Sequence, residues 1–117
     1  MAAAFTVNST TSRGPWLVID ATSTDITTSA YLLAAVAGND HIVKSISIDY
    51  DNPDKWIKIF DGTDLQIGPL ELGVNEHWDK TFESGMTFEE GVYFQTESSG
   101  LFHVLLEYKI VPSGFRG

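Results

Sequence analysis

The amino-acid sequence predicts an all-β protein, and the pattern fits an antiparallel β-sandwich, jelly-roll-like, with about eight to nine strands. Short runs rich in β-branched and aromatic residues recur along the chain. The clearest are Ile42–Tyr50, Trp56–Phe60, Val92–Thr96 and Leu101–Ile110. Clusters of Asp, Asn, Ser, Gly and Pro separate these runs, as turns separate the strands of antiparallel sheets. Within the runs, apolar and polar residues alternate, which is the period of a strand.

The chain divides into three segments. Residues 1–29 form a Ser/Thr-rich N-terminal arm with one predicted strand, at Trp16–Ile19. Residues 30–112 form the β-sandwich body, and residues 113–117 form a tail. A chain of 117 residues is one domain by length and can bury a core without disulfides or a structural metal. The polar residues of the arm predict a flexible segment that its one strand pins to the body.

Ala30–Ala37 is the one candidate helix. Its Leu and Ala residues favour a helix. The segment is shorter than about three helical turns, however, and has no strong helical period. Because Gly38-Asn39-Asp40 and a clear strand follow it, we favour a strand and a turn here, with a helix as the alternative.

The strand patterns predict which side chains face the core. In the first clear run the apolar residues share one parity, and Lys44 interrupts them: Ile42, Ile46, Ile48 and Tyr50. The last run alternates most regularly and places five apolar residues on one face: Phe102, Val104, Leu106, Tyr108 and Ile110. Between these runs the apolar parity changes across Gly68–Pro69. A bulge or bend there would keep all the flanking apolar residues pointing inward: Leu65, Ile67, Leu70 and Leu72.

Two of the strands are apolar on both faces. Lys55–Phe60 has aromatic residues on one face and isoleucines on the other, and Leu101–Ile110 carries two leucines on its second face. Such a strand has a second apolar face that another chain or the N-terminal arm would cover. The predicted interface residues are Trp56, Ile57, Ile59, Leu101 and Leu105.

The charge balance excludes some partners. The chain has 16 acidic and 7 basic residues, and its formal net charge is -9. A nucleic-acid-binding surface needs a basic footprint, so we expect no nucleic-acid partner. No apolar run approaches the ~20 residues of a membrane-spanning helix, so we expect a soluble protein with no membrane partner.

The sequence shows no catalytic signature. There is no cysteine and no Gly-x-Ser-x-Gly motif, and His41, His77 and His103 lie on different segments. Nucleophilic hydrolysis needs a nucleophile, a base and an orienting acid together, and a cupin-like enzyme needs clustered His and carboxylate ligands. We therefore predict no catalytic residues, no cofactor and no enzymatic activity.

One oxygen-rich cluster is a weak candidate for a metal site. Asp49, Asp51 and Asp54 surround a turn, and hard cations such as calcium prefer oxygen ligands. Pro53 interrupts the ligand spacing of an EF-hand loop. Asp and Asn also initiate turns without binding a metal, and we favour that interpretation.

The order of features from Ala30 to Ile110 resembles small β-sandwich proteins of tailed-bacteriophage virions. The segments that carry the resemblance are LLAAVAGNDHIVKSISID, IKIFDGTD, GPLELG, FEEGVYFQTESSG and LFHVLLEYKI. Such modules occur as capsid decoration (cement) proteins and in tail or fibre parts. The resemblance implies a structural protein on the capsid surface, a homotrimer that binds the major capsid protein and bridges capsomers. It implies no catalytic residues.

The alternative function is a carbohydrate- or receptor-binding module of a tail or fibre. Aromatic side chains can stack on sugars where they face solvent. The candidates are Trp16, Trp56, Trp78, Tyr31, Tyr50 and Tyr93. Core packing is the competing use of these residues, and we favour it for most of them.

Overall fold

A computed structural model of the protein describes residues 5–73 and 76–113. These residues form nine strands and no helix, and every strand pair is antiparallel. The strands are β1 (Thr6–Arg13), β2 (Trp16–Ser23), β3 (Ala30–Ala34), β4 (Asn39–Tyr50), β5 (Trp56–Asp61), β6 (Asp64–Glu71), β7 (His77–Phe88), β8 (Gly91–Thr96) and β9 (Phe102–Pro112). The predicted all-β antiparallel fold is confirmed. In the described ranges the model has no helix suited to crossing a membrane.

The strands form two sheets. One sheet has five strands in the order β1-β2-β9-β4-β7, and the other has four in the order β3-β8-β5-β6. The inner faces supply the core, because alternate residues of a strand point to opposite sides of its sheet. The largest side chains that are fully buried between the sheets are Phe88, Phe94, Phe102, Ile26, Ile46, Ile48, Ile57, Ile59 and Leu106.

β9 lies at the centre of the five-stranded sheet, between β2 and β4. Its inward residues form rows with those neighbours: Ala21 and Ile48 flank Val104. The predicted inward face is confirmed at Phe102, Val104, Leu106 and Tyr108, which are all buried. Ile110, predicted on the same face, is 46% exposed.

A bulge in β4 changes one predicted face. The register of β4 shifts between Val43 and Ser45 against both of its neighbours. Val43 is therefore buried in the core, and Ile42, which the sequence placed on the core face, is only partly buried. A bulge adds one residue to a strand and so inverts the parity beyond it. Lys44, the residue that interrupted the apolar pattern, lies at this bulge.

β6 has the irregular register that the parity change predicted. Its pairing with β5 shifts between Ile57 and Ile59. Ile67 and Leu70 both pack against the core despite their different parity. Leu65 departs from the prediction, since it is 46% exposed.

The N-terminal arm contains two strands rather than the one predicted. β1 and β2 form a hairpin through Gly14-Pro15, and β1 is the edge strand of the five-stranded sheet. Phe5 anchors the start of β1, with its ring centroid 5.7 Å from that of Phe94 and 6.0 Å from that of Phe102. The strand interpretation of Ala30–Ala37 is confirmed for Ala30–Ala34, which is β3.

Candidate interaction surface

A row of apolar side chains crosses the outer face of the four-stranded sheet. Tyr31 pairs with Tyr93, Tyr93 with Phe60, and Phe60 with Leu65. Directly paired residues point to the same face of a sheet. Because the alternate residues of β5 and β8 are buried inside, these four side chains point outward. We call them the aromatic row: Tyr31, Tyr93, Phe60 and Leu65.

The aromatic row is accessible along its length. Tyr31 is 56% exposed and Leu65 is 46% exposed, while Phe60 and Tyr93 between them are partly buried. The Tyr31 and Tyr93 rings meet edge to face, with centroids 6.0 Å apart. An exposed apolar group that spans every strand of a sheet is suited to contact another molecule.

Trp56 extends this outer face. Its ring is partly buried, and Lys58 Nζ lies 4.4 Å from the ring centroid, within cation–π range. The interface predicted for this strand needs a correction. Ile57 and Ile59 are 0% exposed and lie in the core, so no partner can reach them in this fold. The partner-facing side of β5 is the side of Trp56.

The other candidate sugar-stacking aromatics divide between core and surface. Tyr50 is buried and donates a hydrogen bond to the Ser98 carbonyl. Trp78 packs against the core. Trp16 lies on the other sheet, at the end of the β1–β2 hairpin.

Leu101 and Leu105 lie on the opposite outer face, that of the five-stranded sheet. They are 49% and 38% exposed. Between them His103 Nε2 lies 2.6 Å from Asp20 Oδ1, and its Nδ1 lies 3.9 Å from Asp49 Oδ2. The hydrogen bond to His103, followed by one from Asn8, lowers the pKa of Asp20. The two leucines are thus separated by a polar network and do not form a continuous apolar patch.

A cationic cluster lies near the tip of the β1–β2 hairpin. The Glu107 carboxylate is buried, 3.7 Å from Arg13 Nη1 and 4.0 Å from Lys44 Nζ. Lys44 and Lys109 lie over the Trp16 ring, at 5.2 and 4.7 Å from its centroid. Three of the seven basic residues of an acidic chain therefore meet here. The alternation of polar and apolar residues in β9 does not indicate that Glu107 is buried.

The residues of the acidic turn make hydrogen bonds that tie neighbouring loops together. Asp51 Oδ1 accepts a hydrogen bond from the Leu101 amide at 2.8 Å, and Asn52 Nδ2 donates to the Ser99 carbonyl at 2.8 Å. The Asp54 amide donates to the Leu72 carbonyl at 2.9 Å. Asp49 lies apart from them, beside His103. Within residues 5–73 and 76–113, no three His, Asp or Glu side chains are grouped to hold a metal ion.

The three histidines lie in different surroundings. His41 is buried, and burial lowers its pKa. His77 Nε2 lies 2.9 Å from Asp79 Oδ2, and the same carboxylate accepts the Ser47 hydroxyl. In a catalytic triad the imidazole, not the carboxylate, accepts the serine proton. In the order Ser47–Asp79–His77 the serine hydroxyl therefore meets a carboxylate and not the imidazole.

Comparison of the chain with protein-family models, curated proteins and solved structures finds no match. Its function is therefore argued from the faces of its two sheets.

Proposed function

We propose that this protein is a structural virion protein, a capsid decoration (cement) protein that stabilises a phage head. In this proposal the aromatic row docks on the major capsid protein, and the chain assembles as a homotrimer that bridges capsomers on the capsid surface. The observation that carries the proposal is the aromatic row, an apolar group that crosses the whole outer face of the four-stranded sheet. Aromatic residues are enriched in the contact centres of protein interfaces.

The path of the chain supports this role. The connections β2–β3, β3–β4, β4–β5, β6–β7, β7–β8 and β8–β9 each cross from one sheet to the other. We infer a jelly roll from this alternation, with β1 added at one edge. Viral capsid domains and lectin domains are both built on jelly rolls, so the architecture fits the proposed function and its alternative.

The two outer faces supply two kinds of contact. The aromatic row would face the capsid, and Leu101 and Leu105 on the opposite face would contribute to contacts between copies. The net charge of -9 favours a basic docking surface on the capsid protein.

Capsid binding tests the proposal. Phage shells that lack decoration protein are mixed with the purified chain and sedimented, and the bound fraction gives the affinity. The double variant Tyr31→Ala, Leu65→Ala removes the exposed ends of the aromatic row without touching the core. Truncating contact residues of this kind should weaken binding at least about thirtyfold, the equivalent of roughly 2 kcal/mol.

The control for that test is Val7→Ala, Ile110→Ala. These two residues are 49% and 46% exposed, which is similar to the exposed fractions of Tyr31 and Leu65, but they lie on the five-stranded sheet. It should bind shells like the wild type. Equal binding by the aromatic-row variant and the control would exclude docking through this face, and no binding by the wild type would reject the decoration role.

A second candidate function, carbohydrate or receptor binding by a tail or fibre part, is favoured by a depression beside the aromatic row. It is lined by Asp61, Asp64, Glu90 and Tyr93, among others. A sugar site usually combines carboxylates, which accept hydrogen bonds from sugar hydroxyls, with an aromatic face against which the sugar packs. Glycan-array binding that is lost in Tyr93→Ala would support this function, and a silent array with a folded protein would remove it.

A further inference from the structure

The free edge of β1 is the least protected edge of the molecule. All eight residues of β1 are exposed, and β2 is its one neighbour in the sheet. The backbone groups of a strand point alternately to its two sides, so half of those of β1 face away from β2 without a strand to pair with. Such an edge is a template for an additional strand.

The structure holds β1 extended from both of its ends. Phe5, directly before it, packs edge to face on Phe94 and Phe102 in the core. Arg13, its last residue, lies 3.7 Å from the buried Glu107 carboxylate. The ladder with β2 and these two anchors hold β1 extended before any partner binds, although none of its residues is buried. A pre-ordered strand loses little conformational entropy on pairing.

The other three edge strands of the two sheets carry features that discourage pairing. β7 presents Asp79, Lys80 and Glu83, all exposed. β6 contains Pro69, which has no amide hydrogen to donate, and β3 has only five residues. β1 has one such feature, a register shift between Val7 and Ser9. The pairing of Ser9–Arg13 with β2 is regular.

The charge of β1 is compatible with a second copy of the chain as its partner. Two copies with a net charge of -9 repel each other over most of their surfaces. β1 has no Asp or Glu and one charged residue, Arg13 at its end. If two such strands pair antiparallel, the two Arg13 side chains lie at opposite ends of the contact. No Asp or Glu of either β1 strand then lies between them.

We propose that β1 pairs antiparallel with β1 of a second copy, around a two-fold axis near Thr11, and joins two five-stranded sheets into one. Thr and Ser pairs across an antiparallel contact add hydrogen bonds between their side chains. This pairing does not rest on the proposed function. A two-fold contact can link two single chains, or two trimers that form through other surfaces.

A single-cysteine scan tests the pairing, because the native chain has no cysteine. Ser9→Cys, Thr10→Cys, Thr11→Cys and Ser12→Cys are made separately and oxidised mildly. In a two-fold antiparallel contact the residue on the axis meets its own copy at a Cα separation of about 4.5–5.5 Å, within disulfide range.

The expected result is a two-chain band on a denaturing, non-reducing gel from one of the four variants. Thr87→Cys, exposed on the opposite edge strand β7, is the matched control and should stay a single chain. No two-chain band from any of the four variants would overturn the proposal. So would a band of equal strength from the control, since that would report random collision.

A second variant provides an independent readout. Thr11→Lys places two like charges opposite each other across the axis, and its side chain is exposed in the single chain. Light scattering of the wild type should show the mass doubling as concentration rises, and Thr11→Lys should lose that doubling. Thr87→Lys should keep it. Doubling that persists in Thr11→Lys, or that is absent in the wild type, would overturn the proposal.

Discussion

β9 and β1 lie in the same sheet, separated by β2 alone, yet they differ in every respect that decides stability. β9 has a neighbour on each side and buries Phe102, Val104 and Leu106 completely. β1 has one neighbour and buries none of its residues. β1 therefore forms a strand without adding to the core, whereas β9 does both. Apolar side chains are buried around β9, whereas β1 adds none to the core.

The largest effect that this comparison predicts is at Phe102. Its ring is fully buried and lies 5.6 Å from the Phe94 centroid and 6.0 Å from that of Tyr50. Phe102→Ala should lower the free energy of unfolding by about 3–5 kcal/mol, since it removes a buried ring and leaves a cavity. Urea unfolding followed by tryptophan fluorescence measures it. A loss below about 1 kcal/mol would mean that the core around β9 collapses to fill the space.

A smaller effect distinguishes two glycines with positive φ. Gly91, at the start of β8, has φ +101°, and a Cβ there would lie 2.7 Å from the Leu33 carbonyl oxygen. Gly14, in the β1–β2 turn, has φ +62° and open space around it. Gly91→Ala should cost about 1–3 kcal/mol, because backbone strain and a clash with fixed backbone add up. Gly14→Ala should cost about 1 kcal/mol or less, from strain alone.

Thermal and urea unfolding of the two glycine variants, measured side by side, checks that difference. Equal losses would mean that the sheet around Gly91 yields as readily as the exposed hairpin turn. The backbone of the interior would then be no more rigid than the backbone of the N-terminal hairpin.

A pH effect follows from His41, a polar residue buried in β4 beside β9. Burial lowers its pKa from the ordinary 6.5, and its ring lies 6.0 Å from that of Tyr108. Below pH 6.5 the unfolded chain binds a proton at His41 that the folded chain does not. The folded state therefore loses stability as the pH falls from 6.5 towards the lowered pKa. Above pH 6.5 this contribution is constant.

His41→Phe should reduce the loss of folding stability that accompanies the fall in pH. The slope of unfolding free energy against pH is measured by urea unfolding between about pH 7.5 and about pH 5, a range that brackets the ordinary histidine pKa of about 6.5. His77→Asn, at an exposed histidine, is the control and should keep the wild-type slope. An unchanged slope in His41→Phe would mean that burial of His41 does not set the acid sensitivity.

The sequence predicted the features of this fold that depend on local alternation. The inward face of β9 could be predicted because four residues at every second position from Phe102 to Tyr108 meet the opposite sheet. Ile42 was assigned to the wrong face because a bulge at Lys44 inverts the parity, and a bulge leaves little trace in the hydrophobic pattern. β1 was interpreted as a flexible arm because Ser and Thr dominate it. Its order comes from the ladder with β2 and from the Phe5 anchor.

The candidate site could be predicted only in part, because it depends on which strands are neighbours. Trp56 was expected at a surface and lies at one, but Ile57 and Ile59 were assigned to the interface and lie in the core. Both faces of β5 are apolar, so its composition alone does not show which face is inward. The aromatic row joins residues from four strands in the order β3-β8-β5-β6, and no local pattern reveals that order.

The smallest predicted change in stability is at β1. Thr11→Lys should alter the free energy of unfolding by no more than about 0.5 kcal/mol, because the side chain is exposed. The measurement is made at low protein concentration, since self-association would itself stabilise the folded wild type. If Thr11→Lys leaves the stability unchanged but abolishes the mass doubling, then β1 serves association and not folding stability, which depends on β9. A loss comparable to that of Phe102→Ala would show instead that β1 belongs to the folding core, and the contrast between the two strands would not hold.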